Sequence, residues 1–324
     1  MSHPQYGLGA LPSPMDLRDF KVGSFLDMAS LPAVPAGFLQ PCYTSYDYIP
    51  RYNQYNTMKC GAFTMRQVQE TNQFIETGKF LELSEDWLYA NREPDMHQGE
   101  GTVGRQLMSM TAKEGTCPRA NFNGAGKTYA ECKAALDKIK ATLLPKALPN
   151  RTYAYVSVTT PLEMKLALMY LGPLAIAIST PSSFYNTPST GLVAPPSGTV
   201  DGGHMMFCPG FEQEKYLSIV NTWGPEWGRE GMCFMPMNWA NIKEVWAITD
   251  LRRLELMAYT PARLIDNTFL APARTLFESI GGIVNPLPRD ANGKLGMEAV
   301  IPPNINTRRI SLREGSKIVT VEVI

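Results

Sequence analysis

The sequence predicts an α+β fold in which a helical half is followed by an antiparallel β half, with a cleft between two packed subdomains. Three observations predict it. Helix-period patterns cluster between Cys60 and Leu171, and short apolar or β-branched runs separated by turn residues cluster between Leu174 and Leu251. At 324 residues the chain has length for about two domains, one large and one small. Helices first and strands later argue for segregated α and β parts, and ligand clefts form where such parts meet.

Residues 1–35 are rich in Pro, Gly and Leu without periodicity and read as an extended arm. A helix is predicted from Cys60 to about Gly78, which puts Cys60 at its N-terminus. The second, about Leu83 to Arg92, is opened by Ser84 as N-cap with Glu85 and Asp86 in its first turn. Val103 to Glu114 ends at Gly115, Tyr129 to Leu144 is polar and surface-like, and Pro161 to Leu171 is stopped by Gly172 and Pro173. Strands are predicted at Leu174–Ser179, Gly203–Phe211, Tyr216–Thr222, Met232–Met235 and Val245–Leu251.

Composition narrows the function classes. Lys+Arg and Asp+Glu balance at 30 each, and no basic block stands out that would track a phosphate backbone, so nucleic acid is not an expected partner. The longest apolar stretch, Leu162 to Ile178, is interrupted by Glu163, Lys165 and Pro173, so no membrane span is expected. The opening MSHPQYGLGALPSP lacks a basic n-region and an apolar h-region, and cytoplasmic synthesis is expected. Six cysteines without a CxxC pair suggest neither a disulfide framework nor a zinc site. Reduced thiols are the default, with a Cys208–Cys233 bridge the one alternative. No cofactor and no metal are expected.

A Cys or Ser nucleophile working near neutral pH usually needs a histidine base. Of three histidines, His3 lies in the arm and His97 in the polar loop REPDMHQGEG, whereas His204 opens the apolar run HMMFCPGF after Gly202 and Gly203. Asn221 ends the next predicted strand, where one hairpin brings it near His204 and its amide can hold the imidazole tautomer. At a helix N-terminus, unpaired N–H groups and the dipole favour a thiolate at Cys60. Gln54, upstream, is placed to share an oxyanion hole with the Cys60 backbone N–H.

These segments resemble the papain-like cysteine peptidases over roughly residues 36–252. The chain reads QYNTMKCGAF from Gln54 to Phe63, GGHMMF around His204 and NTWGPEWGREG from Asn221 to Gly231, and Cys60 precedes His204 by about 140 residues. Weaker echoes follow in the family's order: LSEDWLY, AKEGTCP and KLALMYLGPLAIAI. The resemblance implies a papain-like two-subdomain fold and thiol-dependent hydrolysis of a peptide or protein substrate. In that reading Cys60 is the nucleophile, His204 the base, Asn221 its orienting partner and Gln54 the oxyanion donor, with Trp223 and Gly203 in supporting places. Thr57 stands where the family has a disulfide cysteine, Gly61 where it has an aromatic residue, and Lys59 and Met58 where small residues are common. No propeptide of about 100 residues is expected before the catalytic region, so control is expected from the short arm, from a partner or from weak intrinsic activity. The DLRDF segment at Asp16–Phe20 is similar to the opening of compact bacterial and phage members.

From residue 253 to 324 the composition changes. Residues 308–324 alternate like a closing hairpin around Glu314–Gly315, after a segment read as strand, turn, strand and helix. This small α+β region resembles the stalk-type domain called copper amine oxidase N-terminal-like. It carries no His or Cys, which implies attachment or assembly rather than copper chemistry. The other class of function compatible with the sequence is a structural or binding component of a phage or prophage-like particle that retains a peptidase fold, with partners held through residues 1–35 and 253–324.

Overall fold

The computed structural model describes residues 6–16, 19–24, 26, 31, 33–92, 99–152 and 154–249, and beyond them the strand segments 264–265, 268–269, 283–287, 296–300, 308–313 and 320–323. The chain divides into two compact units, Met1–Phe20 with Ala33–Thr249, and Lys21–Pro32 with Asp250–Ile324.

In the first unit the elements run β1 (Ala10–Leu11), β2 (Phe38–Leu39), α1 (Cys60–Thr77), α2 (Glu85–Ala90), β3 (Thr102–Val103), α3 (Gly104–Glu114), α4 (Tyr129–Asp137), α5 (Lys140–Ala147), β4 (Ala154–Ser157), α6 (Pro161–Tyr170), β5 (Leu174–Pro181), α7 (Ser182–Tyr185), β6 (Val200–Glu212), β7 (Tyr216–Val220), β8 (Met232–Pro236) and β9 (Ile242–Thr249). Strands β4–β9–β5–β6–β7–β8 form one antiparallel sheet in that order, with β2 added on β6. The helical half and the sheet share a core: Cys60, Met65 and Val68 of α1, Trp87 of α2 and Leu107 of α3 lie in one buried cluster with Met205, Phe207, Val220 and Trp246 of the strands. Burial of that apolar surface, rather than helix propensity, holds the two halves together.

Local signals match the sequence at several ends. Ser84 Oγ accepts the Trp87 N–H and caps α2. Gly78 closes α1 in the left-handed region at φ 68°. Pro161 and a Thr160–Glu163 capping box open α6. One expectation fails: Tyr129–Leu144 is not one helix. The chain breaks between α4 and α5, where Ile139 leaves helical geometry at φ −134°. No Gly or Pro marks that break, so local sequence carried no sign of it. The Cys208–Cys233 bridge does not form either, since all six cysteines are free and both of these are buried.

Inside the helical half, Arg66 is fully buried and carries paired charges. It meets Glu70 at 2.8 Å and Glu85 at 2.7 Å and lies over the Tyr52 ring at 4.1 Å. Burial pushes the Glu70 carboxyl up to about 7 despite Arg66 beside it.

The second unit contains the pairs β10 (Leu264–Ile265) with β11 (Thr268–Phe269), and an antiparallel meander β12 (Ile283–Leu287), β13 (Gly296–Val300), β14 (Arg308–Arg313) and β15 (Thr320–Val323). The expected helix after residue 270 and the turn at Glu314–Gly315 lie outside the described residues, as do Leu17 and Arg18 of the DLRDF segment, His3, His97 and Leu251.

Candidate active site

The site begins with the backbone around Gln54. Its N–H donates to Thr222 O at 2.7 Å, Thr222 Oγ1 donates to Gln54 Oε1 at 2.5 Å, and Gly224 N donates to Tyr52 O at 3.1 Å. The loop that leads into α1 is thereby laced to the loop that follows β7. Gly224 sits at φ 82°, and a Cβ there would come within 2.8 Å of Asn53 Nδ2, so the first glycine of the NTWG segment is demanded by geometry. Because Thr222 Oγ1 donates to the amide oxygen, Gln54 Nε2 is fixed as the donor. It reaches Thr57 O at 2.7 Å and Gly7 O at 3.1 Å.

Cys60 is the first residue of α1 and is wholly buried. Burial pushes its thiol up to about 11, opposed by backbone hydrogen bonds from Met205, Gly9, Gly61 and Ala10. Met205 directly follows His204 on β6, so the thiol lies at the strand that carries the imidazole. Gly61 is tightly packed: a Cβ there would sit 2.8 Å from Leu107 Cδ1. Lys59 points away into the helical half, bound to Asp86 at 2.5 Å and to Gly126 O at 2.6 Å.

His204 Nε2 lies 2.7 Å from Asn221 Oδ1. The Thr222 backbone N–H donates to that same atom at 2.7 Å, which identifies it as the amide oxygen. In a neutral ring Nε2 is therefore the N–H, and Nδ1 keeps the lone pair. Nδ1 is buried with no hydrogen-bond partner among the described residues. Burial lowers the His204 pKa to about 4, partly offset by the Asn221 bond. Trp223 stacks on the imidazole with ring centroids 4.6 Å apart.

The arm covers this ground. Tyr6 stacks on Trp223 at 4.5 Å; Gly7 O accepts from Gln54 Nε2 and from Trp223 Nε1; Gly9 N donates to Gly203 O at 3.0 Å. Beyond it, β1 pairs in parallel with β3. The approach is close enough that a Cβ on Gly7 would stand 1.8 Å from Thr57 O, on Gly9 2.1 Å from Met58 O, and on Gly203 2.0 Å from Ala10 O. The arm's path was not legible beforehand, and the only sign was the pair of glycines in YGLGAL. Further along, Ser13 donates from its N–H and its Oγ to the Glu244 carboxylate. Among the described residues no cluster of three or more His, Cys, Asp or Glu is placed to hold a metal ion.

Solved structures share this architecture. Xylellain, a cysteine protease from Xylella fastidiosa, superposes with a TM-score of 0.63 at 20% identity, over 78% of this chain and 99% of its own. The bromelain protease from Ananas comosus, solved with the E64 inhibitor, gives 0.52 at 16% identity, over 67% of this chain and 100% of its own. Among curated proteins, human Cathepsin L2 is 26% identical over 193 residues and mouse Procathepsin L 25% over 207, each match covering 56% of this chain and 55% of the relative. The chain thus spans about half the length of the curated relatives it matches. Residues 49–247 match the profile of the papain family cysteine proteases. With helices and antiparallel sheet disposed as in those solved proteases, the chain belongs to the papain family of cysteine proteases.

Proposed function

We propose that the chain hydrolyses peptide bonds with Cys60 as nucleophile, His204 as proton carrier, Asn221 as the residue that fixes the ring, and Gln54 as an oxyanion donor. The observation that carries this reading is the bare, buried Nδ1 of His204, whose tautomer is set from the far side by Asn221 and Thr222. Nδ1 takes the thiol proton, and the thiolate sulfur bonds to the scissile carbonyl carbon. Gln54 Nε2 and the Cys60 backbone N–H receive the developing oxyanion, and the imidazolium returns its proton to the leaving amine. Water then hydrolyses the thioester by the same proton path. Gln54 Nε2 donates to the Gly7 carbonyl at 3.1 Å; on the proposed scheme the arm takes the place of a substrate carbonyl, and this is a closed state.

An epoxide-type thiol inhibitor tests the assignment. It should label the wild-type chain once the arm is displaced and leave Cys60→Ala unlabelled; equal labelling of both proteins removes Cys60 from the role. The occluded thiol also favours a second reading, a component of a larger, phage-like assembly held through residues 1–35 and the stalk-like 253–324. A chain that is stoichiometric in particles yet inert to peptides and thiol inhibitors under arm-releasing conditions would establish that reading instead.

A further inference from the structure

The helical half carries a cavity that the proposed chemistry does not use. It has a volume of about 240 Å³ and lies where the C-terminal ends of α2 and α3 meet α4 and the first residue of α5. Tyr129, Lys133, Leu136 and Asp137 share one face of α4 at helical spacing, and Ala90, Met110 and Leu136 make a buried apolar floor. An apolar cavity of about 150 Å³ already holds a benzene molecule, so there is room here for a ring and a polar group.

The wall is positive. Arg92, Lys113, Lys133 and Lys140 stand against Glu114 and Asp137, four cations to two carboxylates, a formal balance of +2 in a chain whose formal net charge is zero. The two helix C-termini contribute about −0.5 each, which leaves about one positive charge uncompensated among the described residues. Lys133 holds Asp137 at 2.6 Å and Lys140 holds Glu114 at 2.8 Å. Both are solvent-exposed pairs of the kind that add little stability, so their lysines turn to a ligand at small cost.

Arg92 joins this cavity to the cleft. Its guanidinium lies over the Tyr129 ring at 3.8 Å and donates to Gly99 O and Gly101 O. Gly101 leads into β3, where Thr102 N donates to Gly9 O at 2.7 Å and Thr102 and Val103 pair with Ala10 and Leu11 of the arm. A Cβ on Gly101 would stand 2.6 Å from Leu11 Cγ, so the segment that Arg92 holds is also the one on which the arm is packed. We propose that the cavity binds a small organic anion, an apolar body bearing a phosphate or a carboxylate, and that the bound anion releases the arm from Cys60. The release rests on the closed state proposed above. A charge-assisted pair with the anion is stronger than the guanidinium's bonds to neutral carbonyls, so Arg92 turns from Gly99 and Gly101 into the cavity and β3 loses its anchor. By linkage, the arm and the anion weaken each other's binding by the same factor.

The experiment follows alkylation of Cys60 in the full-length wild-type chain by iodoacetamide, a neutral reagent, with increasing phenyl phosphate or benzoate. At least one of the two anions should raise the rate saturably by about fivefold or more, whereas benzyl alcohol and sodium chloride of equal ionic strength should not. Lys133→Glu combined with Lys140→Glu should keep the anion-free rate and lose the response. Arg92→Gln should react fast without any anion and gain nothing from it. Calorimetry should find tighter anion binding to the full-length Gly9→Ala chain, where the arm is weakened, than to wild type. A response equalled by sodium chloride, a response kept in the double lysine variant, or binding that leaves the alkylation rate unchanged overturns the proposal, as does a slow, still responsive Arg92→Gln chain. Equal rates for wild type and Gly9→Ala without anion also overturn it, since Cys60 is then not covered. Alkylation needs no turnover, so a chain inert to peptides loses the peptidase reading while this result stands.

Discussion

His204 Nε2 donates to Asn221 Oδ1 at 2.7 Å, and that oxygen also takes the Thr222 N–H, so a single amide oxygen fixes both the tautomer and the tilt of the ring. Asn221→Ala should lower kcat by about ten- to a hundredfold, roughly 1.4 to 2.7 kcal/mol of barrier, with KM little changed. The same change strands two buried N–H groups, those of His204 Nε2 and Thr222, and should cost about 1–3 kcal/mol of stability for each. Steady-state kinetics beside thermal unfolding separates the two effects. An unchanged kcat would show that Trp223 stacking alone orients the imidazole.

The arm is held by contacts that only glycine permits. Gly9→Ala puts a methyl group 2.1 Å from Met58 O and should drive the arm off the cleft. Alkylation of Cys60 by iodoacetamide should then accelerate at least tenfold relative to wild type, read by mass spectrometry of the Cys60 peptide. If the rate is unchanged, Cys60 is reached without moving the arm.

Two buried groups give the closed state a pH window. The His204 pKa is lowered to about 4 from 6.5, so its contribution to stability is present above about 6.5 and is lost as pH falls through 4. Cys60 is raised to about 11 from 9.0, so its contribution is present below about 9 and is lost as pH rises through 11. Between pH 4 and 7 the His204 share should fall on the acid side by up to roughly 3 kcal/mol, and it is opposed there by buried Glu70, raised to about 7, whose contribution is lost as pH rises through 7. Comparing unfolding of the wild type with His204→Gln between pH 4 and 7 checks this, because the variant should lack that share of the acid slope. Parallel slopes would show that His204 does not titrate in this range.

Arg66 holds two carboxylates in a dry setting, at 2.8 and 2.7 Å. Arg66→Ala leaves Glu70 and Glu85 without their buried counter-charge and should destabilise the first unit by about 3–5 kcal/mol, a fall in Tm on the order of 10 °C. Differential scanning calorimetry is the measurement. A loss below about 1 kcal/mol would mean that Arg119, 3.4 Å from Glu85, and protonation of Glu70 make up for the missing guanidinium.

What the sequence made legible was local. NTWGPEWGREG could be read because its glycines answer to backbone geometry: Gly224, Gly228 and Gly231 all have positive φ. Cys60 could be placed at a helix start because the apolar period begins there, and Ser84 could be read as a cap. What was not legible depends on distant segments. The pairing of β1 with β3 has no pattern of its own in two residues, and the cavity beside Arg92 exists only once four helices are packed. Lys59, odd in sequence beside Cys60, is explained by Asp86 and Gly126, partners far along the chain.

The segment that crosses the cleft is joined to the body by the same polypeptide, with the Phe20 carbonyl held by the Ser157 N–H at 2.8 Å. Its local concentration at Cys60 is therefore fixed by the tether, on the order of millimolar for a short flexible connection, whatever the dilution of the protein. A single cut between Leu11 and Phe20 would turn this cover into a separate peptide whose occupancy falls with dilution. Nicked protein would then open as it is diluted, while intact protein would not.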